Sequence, residues 1–236
     1  MKIGLFTDPH YCTKEVSCVT RRPFLSFEKI REAMTVFKEN AVDEVICLGD
    51  LVDECGSEEE NIAEIIRLTE LMRSFGIPFF ALMGNHDYEN FTQKKFKEYT
   101  HAAPGMMICE NKALIFLDAN YSSEGNHRVY KRQEIDWTDS YIPANQIRDL
   151  EHALSLPGVT DAYIFVHQNL DPDVERHHVI TNAAEVREVL EKSGKVRAVY
   201  QGHYHPGHEN VINSIPYHTL PAMCEGEENR YTIIEI

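Results

Sequence analysis

The sequence has no long hydrophobic run. Its most apolar stretch, around Ile77 to Met83, falls well short of the about 20 residues that a membrane-spanning helix needs. Residues Met1 to Phe6 carry one basic side chain and too little apolar length for a secretory leader, so the expected location is the cytoplasm. Basic residues are few: 23 Lys and Arg stand against 38 Asp and Glu, a formal net charge of −15. That argues against nucleic acid as a partner, which needs a basic face to release counterions, and against an anionic membrane surface. Cysteine is sparse and unpatterned. The six residues include no Cys-x-x-Cys pair, so reduced thiols are expected and a disulfide framework is not. No repeat, low-complexity stretch or linker divides the chain, and residues 1–236 are expected to form a single domain. Tryptophan occurs once, whereas histidine occurs 12 times. An acidic protein can still bind phosphates if bound metal ions reverse the local sign, and histidine abundance turns attention to metal ligands.

Hydrophobic spacing gives the order of elements. Lys2 to Phe6, Glu44 to Leu48, Phe79 to Met83, Ala162 to Val166 and Val196 to Tyr200 read as short buried strands. Between them, Ser26–Asn40, Glu58–Phe75, Phe91–Tyr99, a segment opened by Pro143, and a segment capped by Asn182 read as helices. Met106–Cys109 and Ala113–Asp118 suggest a hairpin, and short strands near Val211, Tyr217 and Tyr231–Ile234 finish the chain. Alternating strand and helix favour an α/β layered protein, with two sheets facing each other and helices outside.

Five of these strands are followed at once by polar groups able to bind metal: Asp8-Pro9-His10, Gly49-Asp50-Leu51-Val52-Asp53, Gly84-Asn85-His86-Asp87, His167, and Gly202-His203-Tyr204-His205. In α/β sheets ligands bind outside the carboxyl ends of strands, so five distant segments can converge on one rim. Each alone has a bland explanation. Gly-Asp and Gly-Asn are common turns, and a lone buried histidine is usually a hydrogen-bonded core residue. The signal lies in the ordered set. Asp8, His10, Asp50, Asn85, His167, His203 and His205 offer carboxylate, imidazole and amide ligands without a thiolate, a mixture that suits Mn, Fe, Zn or Co and is too nitrogen-rich for Ca or Mg. They exceed what one tetrahedral ion needs and suit two divalent transition-metal ions about 3.5–4 Å apart that share a carboxylate.

The ordered set resembles the calcineurin-like metallophosphoesterase superfamily: Asp-x-His, Gly-Asp-x-x-Asp, Gly-Asn-His-Asp, His and Gly-His-x-His all match between residues 8 and 205. The resemblance implies a four-layer α/β/β/α sandwich with a dimetal site. It implies that Asp8, His10, Asp50 and His205 hold one ion and that Asp50, Asn85, His167 and His203 hold the other, with Asp50 bridging. By the same resemblance His86 is the acid–base or phosphate-contacting histidine, Asp87 orients it, and Asp53 stands behind the ligands. The implied reaction is hydrolysis of a phosphate ester or anhydride by a metal-bridging hydroxide.

Two departures narrow the branch. Protein phosphatases of the superfamily carry Asp-Arg after the second motif and Glu after Asn-His, where this chain has Asp53-Glu54 and Asp87. The layout is closer to small phosphodiesterases of nucleotides, including Mn-dependent ADP-ribose/CDP-alcohol pyrophosphatase and cyclic nucleotide phosphodiesterase groups, so a small phosphorylated substrate of nucleotide type is expected. The rivals are a phosphomonoesterase of the same fold and a non-catalytic scaffold. The sequence leaves the oligomeric state open.

The long polar segment 119–142 supplies candidate substrate contacts. Asn120, Tyr121, Arg128, Tyr130, Arg132, Trp137 and Tyr141 could stack on a base or pair with a distal phosphate. Arg21-Arg22 reads as a solvated pair, His177-His178 as a pair without a metal partner, and Cys12 as a bystander beside the first motif.

Overall fold

The computed structural model describes residues 1–14, 20–100, 105–123 and 136–236. Four strands, β1 (Lys2–Phe6), β2 (Glu44–Cys47), β3 (Phe79–Ala81) and β10 (Thr232–Glu235), form one sheet in the order β10-β1-β2-β3. The other sheet has the order β4-β5-β6-β7-β9-β8, from β4 (Met106–Cys109), β5 (Lys112–Leu117), β6 (Asp161–Val166), β7 (Val196–Gln201), β8 (His208–Ile212) and β9 (Ile215–Thr219). Strands β1, β2 and β3 run parallel, as do β5, β6, β7 and β9; β10, β4 and β8 pair antiparallel at the edges.

Alternation along the strands makes the layers. Ile3, Leu5, Ile46 and Leu48 of the first sheet pack against Leu114, Phe116, Phe165 and Tyr200 of the second, which makes the sheet-on-sheet core. The residues between them face outward. Phe6, Val45 and Cys47 meet Ile30, Met34 and Phe37 of α1 (Ser26–Glu39) and Ile65, Leu68 and Met72 of α2 (Glu58–Ser74). Ile115, Ile164 and Val166 meet Ile147, Leu150 and Leu154 of α5 (Ala144–Ser155) and Val186 and Leu190 of α6 (Ala183–Ser193). The architecture is the expected α/β/β/α sandwich. An aromatic row, Phe116–Phe165–Tyr200–His218, crosses the second sheet with ring centroids 5.2, 5.5 and 5.1 Å apart.

Local signals set the helix ends. Ser57 and Glu60 close a reciprocal capping box at the start of α2: Ser57 Oγ accepts from Glu60 N at 3.2 Å, and the Glu60 carboxylate accepts from Ser57 N at 2.8 Å. Asn182 does not cap α6 with its side chain as expected. Its carboxamide is spent on Ile142, accepting from the amide at 3.0 Å and donating to the carbonyl at 2.8 Å, which ties the long segment to the helix start. Asn85–Asn90 forms a short helix, α3, where the sequence reads as a turn, and α4 follows at Gln93–Tyr99. Among the described residues no helix is long and apolar enough to cross a membrane.

The thiol expectation fails at one pair. Cys12 and Cys55 form a disulfide across 43 residues. The loops after β1 and β2 run side by side, with Tyr11 N donating to Leu51 O at 3.1 Å and Asp53 N to Tyr11 O at 3.0 Å. Tertiary pairing of two loops, which no spacing rule encodes, brings these cysteines together. Cys47, Cys109 and Cys224 are free.

Candidate active site

The candidate residues lie where strands end. Asp8 and His10 follow β1, Asp50 and Asp53 follow β2, Asn85 opens α3 after β3, His167 follows β6, and His203 and His205 follow β7. These turns are sharp: Asp8, His10, Asp50 and His203 adopt φ of 50°, 45°, 51° and 65°, a left-handed region that disfavours side chains other than glycine. Such residues cost about 1–3 kcal/mol each and persist where surroundings over-determine them. Here Asp8 N donates to Gly49 O at 3.0 Å, His10 N to Asp50 O at 2.9 Å and Gly202 N to His167 O at 2.9 Å. Gly49, at φ 123°, leaves no room for a Cβ because the His167 ring lies against it, and a Cβ on Gly84 would strike the Asp50 carboxylate.

The side chains converge. Asp50 Oδ2 is 3.5 Å from His10 Nε2 and 3.3 Å from His167 Nε2. Asp8 Oδ1 is 3.7 Å from His10 Nε2 and 3.5 Å from His205 Nε2, and the two Nε2 atoms are 3.3 Å apart. Donor atoms of Asp50, His167 and His203 also lie within 4.8 Å of one another. Two ligands each about 2.1 Å from one ion, at octahedral to tetrahedral angles, stand about 3.0–3.4 Å apart, so this spacing fits a metal centre. Hydrogen bonding points the same way. Asp8 Oδ1, Asn85 Oδ1, His167 Nε2 and His203 Nε2 are buried and make no hydrogen bond, a cost that ligation removes.

The far side of each group is held. Asp8 Oδ2 accepts from Thr7 Oγ1 at 2.5 Å and His203 N at 3.0 Å, while Asp50 Oδ1 accepts from His86 N at 2.9 Å. His167 Nδ1 donates to Leu48 O at 3.0 Å and His205 Nδ1 to Glu225 Oε1 at 2.7 Å, which turns both Nε2 atoms toward the centre. Glu225 lies 20 residues past His205 and has no local sequence signal.

Charge is arranged around the same point. Burial alone would raise the Asp8 and Asp50 carboxyls, yet His167 and its neighbouring imidazoles hold both well below the usual range. Burial pushes His10 down to about 4 and His203 well below its ordinary value, so both rings are neutral. His167 and His86 go the other way. Burial opposes their charged form, but Asp50 with Asp8, and Asp50 with Asp53, raise them to about 9. The site thus holds its own protons as counter-ions, the electrostatic setting for cations. The Cys224 thiol lies near His10 and His205, but burial drives its pKa up and keeps it neutral.

Several expectations need correction. Asp87 is not paired with His86: its carboxylate accepts from Leu51 N (3.0 and 3.1 Å), Val52 N (3.2 Å) and Gly84 N (3.0 Å), so it pins the β2 and β3 turns together. His86 Nδ1 instead faces Asp53 Oδ1 at 3.3 Å and Glu89 Oε2 at 3.6 Å. Asn120 is fully buried, donating to Met83 O at 2.8 Å and accepting from Gln168 Nε2 at 2.8 Å; it braces loops and is closed to substrate. Tyr121 forms an isolated β-bridge with Tyr141. Arg128, Tyr130 and Arg132 lie outside the described residues. Arg21 and His178, set aside on sequence grounds, do reach the site. A cleft of about 670 Å³ opens over Asp50, Asn85 and His86, and Arg21, Glu89, Trp137, His178, Tyr204 and Glu225 form its walls.

A layered α/β protein with buried carboxylates and imidazoles converging at its strand ends defines a class of metal-dependent hydrolases. The chain belongs to the calcineurin-like phosphoesterase family, whose model matches residues 1–207. It is a hydrolase of phosphoric esters, and the family uses divalent metal ions. It is 24% identical to the 3',5'-cyclic adenosine monophosphate phosphodiesterase CpdA of Haemophilus influenzae, over 95% of this chain and 77% of that protein. It is 28% identical to the DNA double-strand break repair protein Mre11 of Methanosarcina acetivorans, over 84% of this chain but only 29% of that one. In fold it resembles a dimetal phosphatase from Danio rerio (TM-score 0.80, 16% identity, 98% of this chain and 91% of the other). It also resembles GAP50, the anchor in the inner membrane complex of Plasmodium (TM-score 0.62, 14% identity, 97% and 75%).

Proposed function

We propose that the chain is a dinuclear metal-dependent phosphoesterase that hydrolyses small phosphodiesters or pyrophosphates of nucleotide type. One observation supports this reading: a single oxygen, Asp50 Oδ2, is within reach of imidazoles from both halves of the ligand set, 3.5 Å from His10 Nε2 and 3.3 Å from His167 Nε2. Asp8, His10, Asp50 and His205 would hold one ion; Asp50, Asn85, His167 and His203 would hold the other. Ions bound there would supply Lewis acidity and would lower the pKa of a bound water toward neutrality.

The rest of the work falls to the chain. His86, charged at neutral pH through Asp50, Asp53 and Glu89, turns Nδ1 toward two carboxylates and lines the cleft. Its Nε2–H is the donor for a phosphoryl oxygen or the departing oxygen. Arg21 lies on the same wall, 3.8 Å from Asp53 Oδ2, and adds a cation where a second phosphate would lie. The acidic cleft residues Glu89, Glu175 and Glu225 disfavour long polyanions and support a small substrate. The CpdA likeness, over most of both chains, supports a nucleotide diester. A scaffold reading has less support, because every candidate ligand is retained.

Metal analysis after saturation with Mn or Zn should give about two equivalents per chain. Rates should then rank bis-p-nitrophenyl phosphate, ADP-ribose or a cyclic nucleotide above a phosphopeptide and simple monoesters. One equivalent or none at saturation would sink the dinuclear reading, and a phosphopeptide as best substrate would sink the substrate class.

A further inference from the structure

One wall of the cleft is aromatic and has no part in the chemistry above. The Trp137 ring meets His177, His178 and His203 at centroid distances of 5.3, 5.5 and 5.8 Å. His178 in turn meets His203 at 5.0 Å and Tyr204 at 5.2 Å. Trp137, His178 and Tyr204 line the same cleft as Asp50 and Asn85, so the rings stand directly beside the candidate metal ligands. Trp137 is nevertheless 38% exposed, a large apolar surface left open to the cleft. At the edge of this wall Glu175 presents an exposed carboxylate, 3.1 Å from His177 Nε2.

We propose that Trp137, His178 and Tyr204 form a stacking subsite for the base of a nucleoside phosphate, with Glu175 as the acceptor for an exocyclic amino group on that base. The placement of the phosphate over Asp50 rests on the phosphoesterase reading; binding of the ring does not. A base offers a π-face to the rings, and base–aromatic stacking contributes about 1–3 kcal/mol per base. A carboxylate only accepts, so it pairs with the amino groups of adenine or cytosine and meets a carbonyl in uracil. The wall therefore selects for a planar ring, and its edge selects among rings.

Trp137 is the chain's only tryptophan, so tryptophan emission reports on this wall alone. The metal-free chain is titrated with adenosine, which carries no phosphate, and excited where adenine does not absorb. Saturable quenching is expected, with a weaker response to uridine. By calorimetry Trp137→Ala should weaken adenosine binding about 5- to 150-fold, the stacking range converted to affinity. Trp137→Phe, which keeps a ring, should restore most of it, and Glu175→Gln should narrow the gap between adenosine and uridine. With metal present, Trp137→Ala should lower kcat/KM more for ADP-ribose than for the ring-free diester glycerophosphocholine. If adenosine gives no saturable quenching, or binds Trp137→Ala as tightly as wild type, the subsite is wrong even where esters are hydrolysed. If adenosine quenches Trp137 but no ester is cleaved with any metal, the subsite stands and the catalytic reading falls.

Discussion

On the floor of the cleft, Asp8, His10, Asp50 and His203 have positive φ and are buried; on its wall, Trp137 and Tyr204 have ordinary backbones and stay partly open. The floor is over-determined. Its side chains are held on their far sides by Thr7, Leu48, Glu225 and backbone amides, and its turns are tied strand end to strand end. The wall comes from loops and is held by ring contacts. Such a division is expected of a hydrolase. Reacting groups need positions fixed to a fraction of an ångström, whereas a surface that selects a ring tolerates change and can differ between relatives.

The comparison breaks first at its centre. Asp50→Asn removes the charge between His10 and His167, and activity should fall to the level of the metal-free chain, with metal analysis showing most of the bound ion lost. A variant that keeps both equivalents would show that Asp50 is not shared. Next comes His86. Removing an acid–base group costs about 10²–10⁴-fold in rate, so His86→Ala should lose that much turnover while metal content stays near wild type. A smaller loss for p-nitrophenyl esters than for alkyl esters would identify His86 as the leaving-group acid; equal losses would make it a stabiliser of phosphoryl charge.

A third test asks how far the floor depends on covalent bracing. The Cys12–Cys55 bond ties the loop of Asp8 and His10 to the loop of Asp50 and Asp53. Closing a loop of this length typically contributes about 2–4 kcal/mol. Cys55→Ser should lower stability by that amount in urea titrations without reductant, and dithiothreitol should erase the difference. Equal stability without reductant would mean that the two loops hold each other without the bond.

The smallest effect lies away from the cleft, as a control on buried charge. Burial raises the Glu44 carboxyl, at the start of β2, to about 7. The folded state therefore holds this proton more tightly than the unfolded chain does. The stability it contributes is complete below the unfolded value of about 4.3 and is lost as pH rises through 7. Glu44→Gln should flatten that part of the profile and leave the variant about 1–3 kcal/mol more stable at pH 8, relative to wild type, than at pH 5. An unchanged slope would place the titrating group elsewhere.

Much of the fold was legible because its signals are local or periodic. Ile3 and Leu5 alternate with Gly4 and Phe6, and Ile30, Met34 and Phe37 recur at helical spacing, so strand and helix faces could be read from the chain. The strand-end positions of Asp8, Asp50, Asn85, His167 and His203 were legible for the same reason: each lies within three residues of the end of an apolar run. The short helix α3 was not, because Gly84-Asn85-His86-Asp87 has the composition of a turn and becomes helical once Asp87 binds the Gly84, Leu51 and Val52 amides.

The sequence by itself determined the alternation of strands and helices and the types of donor atom available at the strand ends, since apolar periodicity and residue chemistry do not depend on distant partners. Only the tertiary structure decided what those donors face. It gave His86 to Asp53 and Glu89, gave Asp87 to the backbone, joined Cys12 to Cys55, buried Asn120 and opened Trp137 onto the cleft. Each of these pairings joins segments whose separation along the chain bears no relation to their separation in space, and they form only when the two sheets pack and their loops meet at one rim.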